Sequence, residues 1–372
     1  MSLYQASPSS PPLSRPLSSN ANKQQAIDRL IRGHVLSGVW SPGFRIPTRH
    51  QLEKQFSCSS VTLQRAIDRL VLDGFLVSRG RLGTFVVDAP PNSNRFALFF
   101  NGNRSSVFHS RFYLAMQREC QKLLEDENIQ ITLYGGKALG LSFEDLEAVE
   151  AAIIGHRLAG IIFAGQPVEW SDTPILDGHS VPRICLAPEF DHPDVIPLAM
   201  DNRVMYQDAF HYLKQAGGGR VGIVTVPSIP IAVETILELA DKAGLICHPS
   251  WIQGQVQEYA PWVSQQVQLL LEQPPEHRPD SLFIADDNLV KPAIKGIKQA
   301  GLSLDSIQVI AHANFPVCQK DYPCIPRIGY FSESILQHAI EMCHDVRAGK
   351  KVRRRVIKPV LFSDPEDLPI YA

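Results

Sequence analysis

Long apolar runs are missing from this sequence. The most hydrophobic stretch, AAIIGHRLAGIIFAG, is interrupted by His156 and Arg157. It falls short of the roughly 18 uninterrupted apolar residues that a membrane span needs. The first twenty residues, MSLYQASPSSPPLSRPLSSN, have no apolar h-region, so no signal peptide is expected and the reading is a cytoplasmic protein. A Pro/Ser-rich stretch of that kind cannot bury enough surface to order itself, and residues 1–21 are read as a disordered tail. Cysteine is scarce, seven in 372 residues, with no CxxC pair. That excludes a disulfide framework. Cys318 and Cys324, in CQKDYPC, are taken as bystanders in a reduced compartment, with a metal or redox pair as the alternative. No metal site is assigned. Catalytic signatures are absent as well: there is no GxSxG, no HExxH and no P-loop. The glycines of QAGGGRVG follow a helix-like segment, not a strand, so they are read as a helix end leading into a strand. No catalytic residue and no cofactor is expected.

What is present is size, apolar content and an uneven charge. With 372 residues, 44% of them hydrophobic, the chain is large enough for two or three globular units. Residues 1–90 hold eleven cations and five anions, a surplus of six positive charges, so the formal net charge of −2 leaves eight surplus negative charges on the remainder. A basic head on an acidic body points the head toward a polyanion.

In the head, Ile27, Leu30, Ile31 and Val35 recur at helical spacing from Asn22 onward, and Gly38 supplies a stop. After the turn WSPGFRIP, Thr48 opens a second helix with Gln51 placed to close a capping box. Ser59 caps a third helix whose stripe is Leu63, Ala66, Ile67, Leu70 and Val71, and Gly74 ends it. FLVSR, GRLG and TFVV then read as a hairpin. Three helices and a basic-tipped hairpin form a winged helix-turn-helix by pattern. In that arrangement the third helix enters the major groove N-terminal end first, presenting Ser60, Thr62, Gln64 and Arg65.

The run SGVWSPGFRIPTRHQLEKQFSCSSVTLQRAIDRLVLDGFLVSRGRLGTFVV resembles the GntR-type winged-helix domain over residues 22–88. The resemblance implies that Arg45, Arg49, Ser59, Thr62, Gln64 and the wing from Arg81 to Thr84 face double-stranded DNA, and Thr48, Ser60 and Arg65 are assigned to the same surface. It also carries departures: the family has an acidic residue at the place of Arg49, arginine at those of Ser60 and Gln64, and glycine at that of Arg81. An operator sequence therefore does not transfer.

DAPPNSN, Asp88 to Asn94, punctuates the chain, with residues 89–94 as linker. Beyond it β-like and helix-like segments alternate: FALFF, RFYLAMQRECQKLLEDE, IQITLY, FEDLEAVEAAIIGHR, and later RVGIVTV, DSLFIAD, NLVKPAIKGIKQAG and IQVIAHA. Continuous apolar strands between amphipathic helices imply parallel sheets covered on both faces. That makes the body an α/β doubly wound fold, and its length calls for two lobes with a cleft at the strand carboxyl ends.

Residues 95–372 resemble the LacI and ribose-binding-protein type of two-lobed, periplasmic-binding-protein-like domain. The resemblance is carried by LAGIIFAG, by the span from PILDGHS to GIVTV with its Asp201-Asn202, by PDSLFIADDNLVKPAIKGIKQAG and by FSESILQHAIEMCHDVRAGK. A GntR-type head on a LacI-type body is the plan of arabinose-repressor-like regulators. The resemblance implies ligand contacts at Asn101, Phe112, Asp201 and Asp287. Asp201, with Asn202, is equally readable as a helix cap, and a cap is the alternative reading of Asp287. The arginine that clamps hydroxyls in the family falls at Ala232, and its GFDD run has become AHAN, Ala311 to Asn314. The chain is thus read as a homodimeric repressor that binds a two-fold-symmetric operator and responds to a small, carbohydrate-like effector. The alternatives are a DNA-binding head on an enzymatic body, such as the aminotransferase-like bodies that some GntR-type heads carry, or on a ligand-free one.

Overall fold

The computed structural model describes residues 20–101, 110–135, 143–171, 173–177, 181–226, 231–255, 262–316, 325–364 and 367–368. The expectations for residues 1–19, Cys318 and Cys324 lie outside them. The chain divides into two compact units at Ser93/Asn94.

In the first unit, Ile27, Ile31 and Val35 line one face of α1 (Asn20–Leu36), which starts two residues before the expected Asn22. Thr48 and Gln51 form the capping box ahead of α2 (Arg49–Phe56). The Ser59 hydroxyl accepts from the Thr62 amide and caps α3 (Ser60–Leu72). Two short strands, β1 (Leu76–Ser78) and β2 (Thr84–Val86), pair antiparallel with Ser78 opposite Thr84. FRIP, read as part of a turn, adds a bridge at Arg45 to Phe85, so the hairpin gains a third edge. Trp40, Leu52, Leu63, Leu70, Phe75 and Val86 close the core. Arg32 is buried between Asp28 (3.0 Å) and Asp73 (2.8 Å) with its guanidinium 4.6 Å from the Phe75 ring centre, tying α1 to the end of α3.

The second unit has two six-stranded sheets. The first lobe orders its strands β13-β7-β6-β5-β3-β4, all parallel: β3 (Arg95–Phe100), β4 (Gln130–Gly135), β5 (Gly160–Phe163), β6 (Arg183–Cys185), β7 (Val195–Met200) and β13 (Arg355–Ile357). The second lobe orders them β14-β12-β11-β10-β8-β9: β8 (Val221–Thr225), β9 (Ile252–Gly254), β10 (Ser281–Ile284), β11 (Gln308–Phe315), β12 (Arg327–Phe331) and β14 (Val360–Phe362). Only β14 is antiparallel to its neighbour.

Among the described residues of this unit the helices longer than one turn are α4 (Arg111–Glu127), α5 (Phe143–Ile154), α6 (Asn202–Gln215), α7 (Val233–Lys242), α8 (Val263–Leu271), α9 (Val290–Gln299) and α10 (Ser332–Arg347). Central strands such as β5 and β10 are buried at every position, the signature of a sheet covered on both faces. The chain passes between lobes after β7, between β12 and α10, and between β13 and β14. QAGGGRVG runs from the end of α6 into β8, with Gly217 at φ +96°. Among the described residues no helix is long and apolar enough to cross a membrane.

Candidate nucleic-acid interface and ligand pocket

Helical geometry sorts the α3 residues. Leu63, Ala66, Ile67 and Leu70 face the core, and Thr62 joins them at 7% exposure. This corrects the placement of Thr62 on the groove-facing side: its hydroxyl lies 2.9 Å from the Ser59 hydroxyl, inside the cap. Ser59 is likewise occupied, since its oxygen accepts the Thr62 amide at 3.3 Å. Thr48 is exposed, but its hydroxyl is held by Gln51 at 2.9 Å. The Gln64 amide NH2 donates to Asp68 at 2.5 Å, which withdraws one of the two groups needed for a bidentate base contact.

Exposed on this unit are Arg45, Arg49, Ser60, Arg65 and Arg81. Arg81 sits in the helical turn Gly80–Leu82 at the hairpin tip, and Thr84 is half-buried on β2. Arg45 lies along Gly83, whose φ is +108°. A Cβ there would come within 2.9 Å of the Arg45 Nε, so glycine both permits the turn and admits the guanidinium. Sequence reasoning missed Val61, 60% exposed beside Ser60. A helical wheel through the buried stripe would have exchanged it with Thr62.

In the body, the predicted ligand residues come from four separate elements. Asn101 follows β3 and donates its amide to the Gln166 carbonyl at 2.6 Å. Its Oδ1 is buried without a hydrogen-bond partner among the described residues. Phe112, in the first turn of α4, packs edge-on to Phe100 at 6.2 Å. Asp201 is the N-cap of α6, accepting from the Val204 amide at 3.1 Å and from Lys358 Nζ at 2.5 Å. Burial pushes its carboxyl up, but the bonds from Lys358 and Val204, with Arg354 nearby, outweigh that and hold it below the usual carboxylate range.

Asp287 is 3% exposed and accepts from both the backbone and side-chain amides of Asn314, at 3.1 and 3.0 Å. The cap alternative belongs to Asp286 instead, whose carboxylate accepts from the Asn288 amide. Burial raises both carboxyl groups. It also depresses the neighbouring His312 to about 4, against the attraction of Asp286. Asn288 reaches the other lobe, where its Oδ1 accepts the Arg111 amide at 3.0 Å. Ser110 supplies no side-chain cap there, so α4 is capped from across the cleft.

A pocket of about 310 Å³ opens at the lobe junction. Its walls include Asp201, Asn202 and Arg203 from the first crossing, Ala232 just before α7 and Thr235 within it, and Arg354 beside β13. Of the four ligand residues taken from the resemblance, Asp201 alone lines it. Among the described residues no cluster of His, Cys, Asp or Glu is arranged to hold a metal.

Residues 23–86 match the gntR family of bacterial regulatory proteins. The chain is 33% identical over 113 residues to a histidine utilization repressor of Klebsiella aerogenes, which covers 30% of this chain and 44% of that protein. It is 23% identical over 146 residues to the arabinose metabolism transcriptional repressor of Halalkalibacterium halodurans, 38% of this chain and 37% of that one. The chain therefore spans less than half the length of either relative. Among solved structures, a cellobiose complex of the transcriptional regulator CelR aligns over 94% of this chain and 98% of its own, at 18% identity and a TM-score of 0.55. A LacI family transcriptional regulator from Mycobacterium smegmatis aligns over 74% of this chain and 100% of its own, at 14% identity and a TM-score of 0.53. At these identities the likeness is one of fold: a GntR-type helix-turn-helix domain followed by a LacI-type, periplasmic-binding-protein-like body.

Proposed function

We propose that this chain, a GntR-type head on a body of LacI-type fold, is a transcription repressor controlled by a small polar metabolite, a sugar or sugar derivative. It is a cytoplasmic homodimer joined through its bodies that binds a two-fold-symmetric operator, and it is not an enzyme. The observation that carries this reading is one chain holding both parts. A winged helix presents Arg45, Arg49, Ser60, Arg65 and Arg81, and a two-lobed body has a pocket where its lobes meet. Cations beside a helix N-terminus suit phosphate contacts and base edges. A ligand touching both lobes has the differential affinity for open and closed bodies that control of DNA affinity requires. Asn101, with its unsatisfied buried acceptor, Phe112, Asp201 and Asp287 are assigned to the effector side of this scheme.

The test is selection of DNA from a random pool by the full chain, followed by anisotropy titration at several salt concentrations. The expected result is a symmetric half-site pair, with Arg49→Ala weakening all sequences alike and lowering the salt slope by about one. Equal affinity for every duplex defeats the proposal.

A further inference from the structure

Two arginines, Arg203 and Arg354, line the junction pocket. The resemblance places an arginine at position 232, where this chain has alanine. In the folded body Ala232 and Arg354 line the same pocket, so the cation absent from the α7 wall is supplied by the segment leading into β13. The carboxylate among the lining residues, Asp201, is already committed to Lys358 and the Val204 amide. Another acceptor, the Asn202 Oδ1, takes the Tyr330 hydroxyl at 3.2 Å. Arg354 makes neither a hydrogen bond nor an ion pair among the described residues. Arg203 has only Glu238, at 3.5 Å, and Lys242 holds that same carboxylate at 2.5 Å.

A neutral polyol needs acceptors for its hydroxyl hydrogens. Here the Asp201 carboxylate and the Asn202 Oδ1 already take donors, while Arg354 is engaged only at longer range by Asp201 and Arg203 only by a carboxylate it shares with Lys242. We infer that the junction pocket takes an oxyanion: the effector is a small polar metabolite carrying a carboxylate or phosphate group, set between Arg203 and Arg354. Arginine suits this role because its planar fork matches the geometry of either anion. A volume of about 310 Å³ lies at the small end of ligand sites, which fits a molecule of monosaccharide size. Met200 and Val356, also in the lining, offer apolar surface to its carbon skeleton. The inference rests on the effector role proposed for the body and names the chemistry of that effector.

Thermal unfolding of the full chain at fixed ionic strength tests it, with inorganic phosphate, gluconate and glucose 6-phosphate as probes against glucose and chloride. A ligand bound only by the native state raises the melting temperature according to RT ln(1 + [L]/Kd). The acidic probes are expected to stabilise the wild type while glucose does not. Arg354→Gln and Arg203→Gln each weaken that response about tenfold in apparent Kd. Phosphate bound at the head is common to all three proteins and cancels in the comparison. Circular dichroism shows that the variants are folded, and two variants guard against one that is not. Stabilisation by glucose alone, no stabilisation by any probe, or an undiminished response in both variants overturns the inference. Operator selection is scored separately, so a symmetric site with no anion response defeats the pocket chemistry and leaves the regulator standing.

Discussion

Arg32→Met is the sharpest perturbation of the head. The guanidinium donates to Asp28 at 3.0 and 3.1 Å and to Asp73 at 2.8 Å, with the arginine side chain 5% exposed and the two carboxylates 17% and 11% exposed. Methionine keeps the apolar stem and removes the charge, leaving two partly buried carboxylates on one site. Breaking a fully buried pair by removing one partner costs about 3–5 kcal/mol. The carboxylates here retain some water, and Arg69 stands 4.0 Å from Asp73, so roughly 2 kcal/mol is the better figure. For a domain of 60–100 residues each kcal/mol moves the melting temperature by about 4–8 °C. Calorimetry of the full chain should therefore show the head transition falling by roughly 8–16 °C with the body transition unmoved. Adding Asp28→Asn and Asp73→Asn to the methionine variant should recover part of the loss. A head transition within about 2 °C of wild type would show that the cluster contributes nothing and that the reasoning from burial is wrong.

Val61, 60% exposed at the start of α3, is placed to meet a thymine methyl. Replacing thymine by uracil at one position of the selected half-site should cost the wild type about 0.8 kcal/mol and Val61→Ser nothing, and equal losses would refute the contact. His312 is held near 4 by burial, so between about pH 6.5 and 4 the unfolded chain binds a proton that the folded body refuses. Taken alone, this group lowers body stability as pH falls across that window, by at most about 1.4 kcal/mol per unit. Asp286 and Asp287, whose carboxyls burial raises, bind protons in the folded body and act in the opposite direction. In His312→Gln, denaturant titrations should show less stability lost on acidification there. Asp201, whose carboxyl is depressed, adds its loss only below the ordinary carboxylate range. Gly296→Ala puts a Cβ 2.5 Å from the Ser264 carbonyl and 2.8 Å from the Val267 Cβ, where α9 meets α8. Overpacking of about 1–3 kcal/mol should outweigh the roughly 1 kcal/mol helix gain. A variant that melts at or above wild type would refute this close approach.

The fold was legible where periodicity and capping chemistry agree. The capping box at Thr48 and Gln51 and the buried runs of β3, β5 and β10 are local patterns with a single structural solution. Strands of three residues, β9, β13 and β14, carry no such pattern because their partners lie far away in sequence. RIGYF, which forms β12, opens on an arginine after Pro326 and holds a glycine at its centre, so its own composition signals a strand only weakly. Site residues were legible as positions but not as bonds. That Asp286 caps while Asp287 turns to Asn314 depends on a backbone angle that no spacing reveals. The pocket's cations, Arg203 and Arg354, are 151 residues apart and meet only because β13 adds to the edge of β7.

That edge addition also sets an order of assembly. Both sheets are finished by residues 355–362, β13 closing the first lobe and β14 the second. During synthesis at roughly 5–20 residues per second, the head is complete more than 250 residues before either lobe can be. Until then β7 and β12 expose unpaired edges, the feature by which incomplete sheets find wrong partners. A ribosome stalled within the stretch from Gly349 to Arg354 would hold out a finished DNA-binding head on a body whose lobes both lack a strand. Nascent copies are therefore at greatest risk of tangling while the chain grows from β12 to β14.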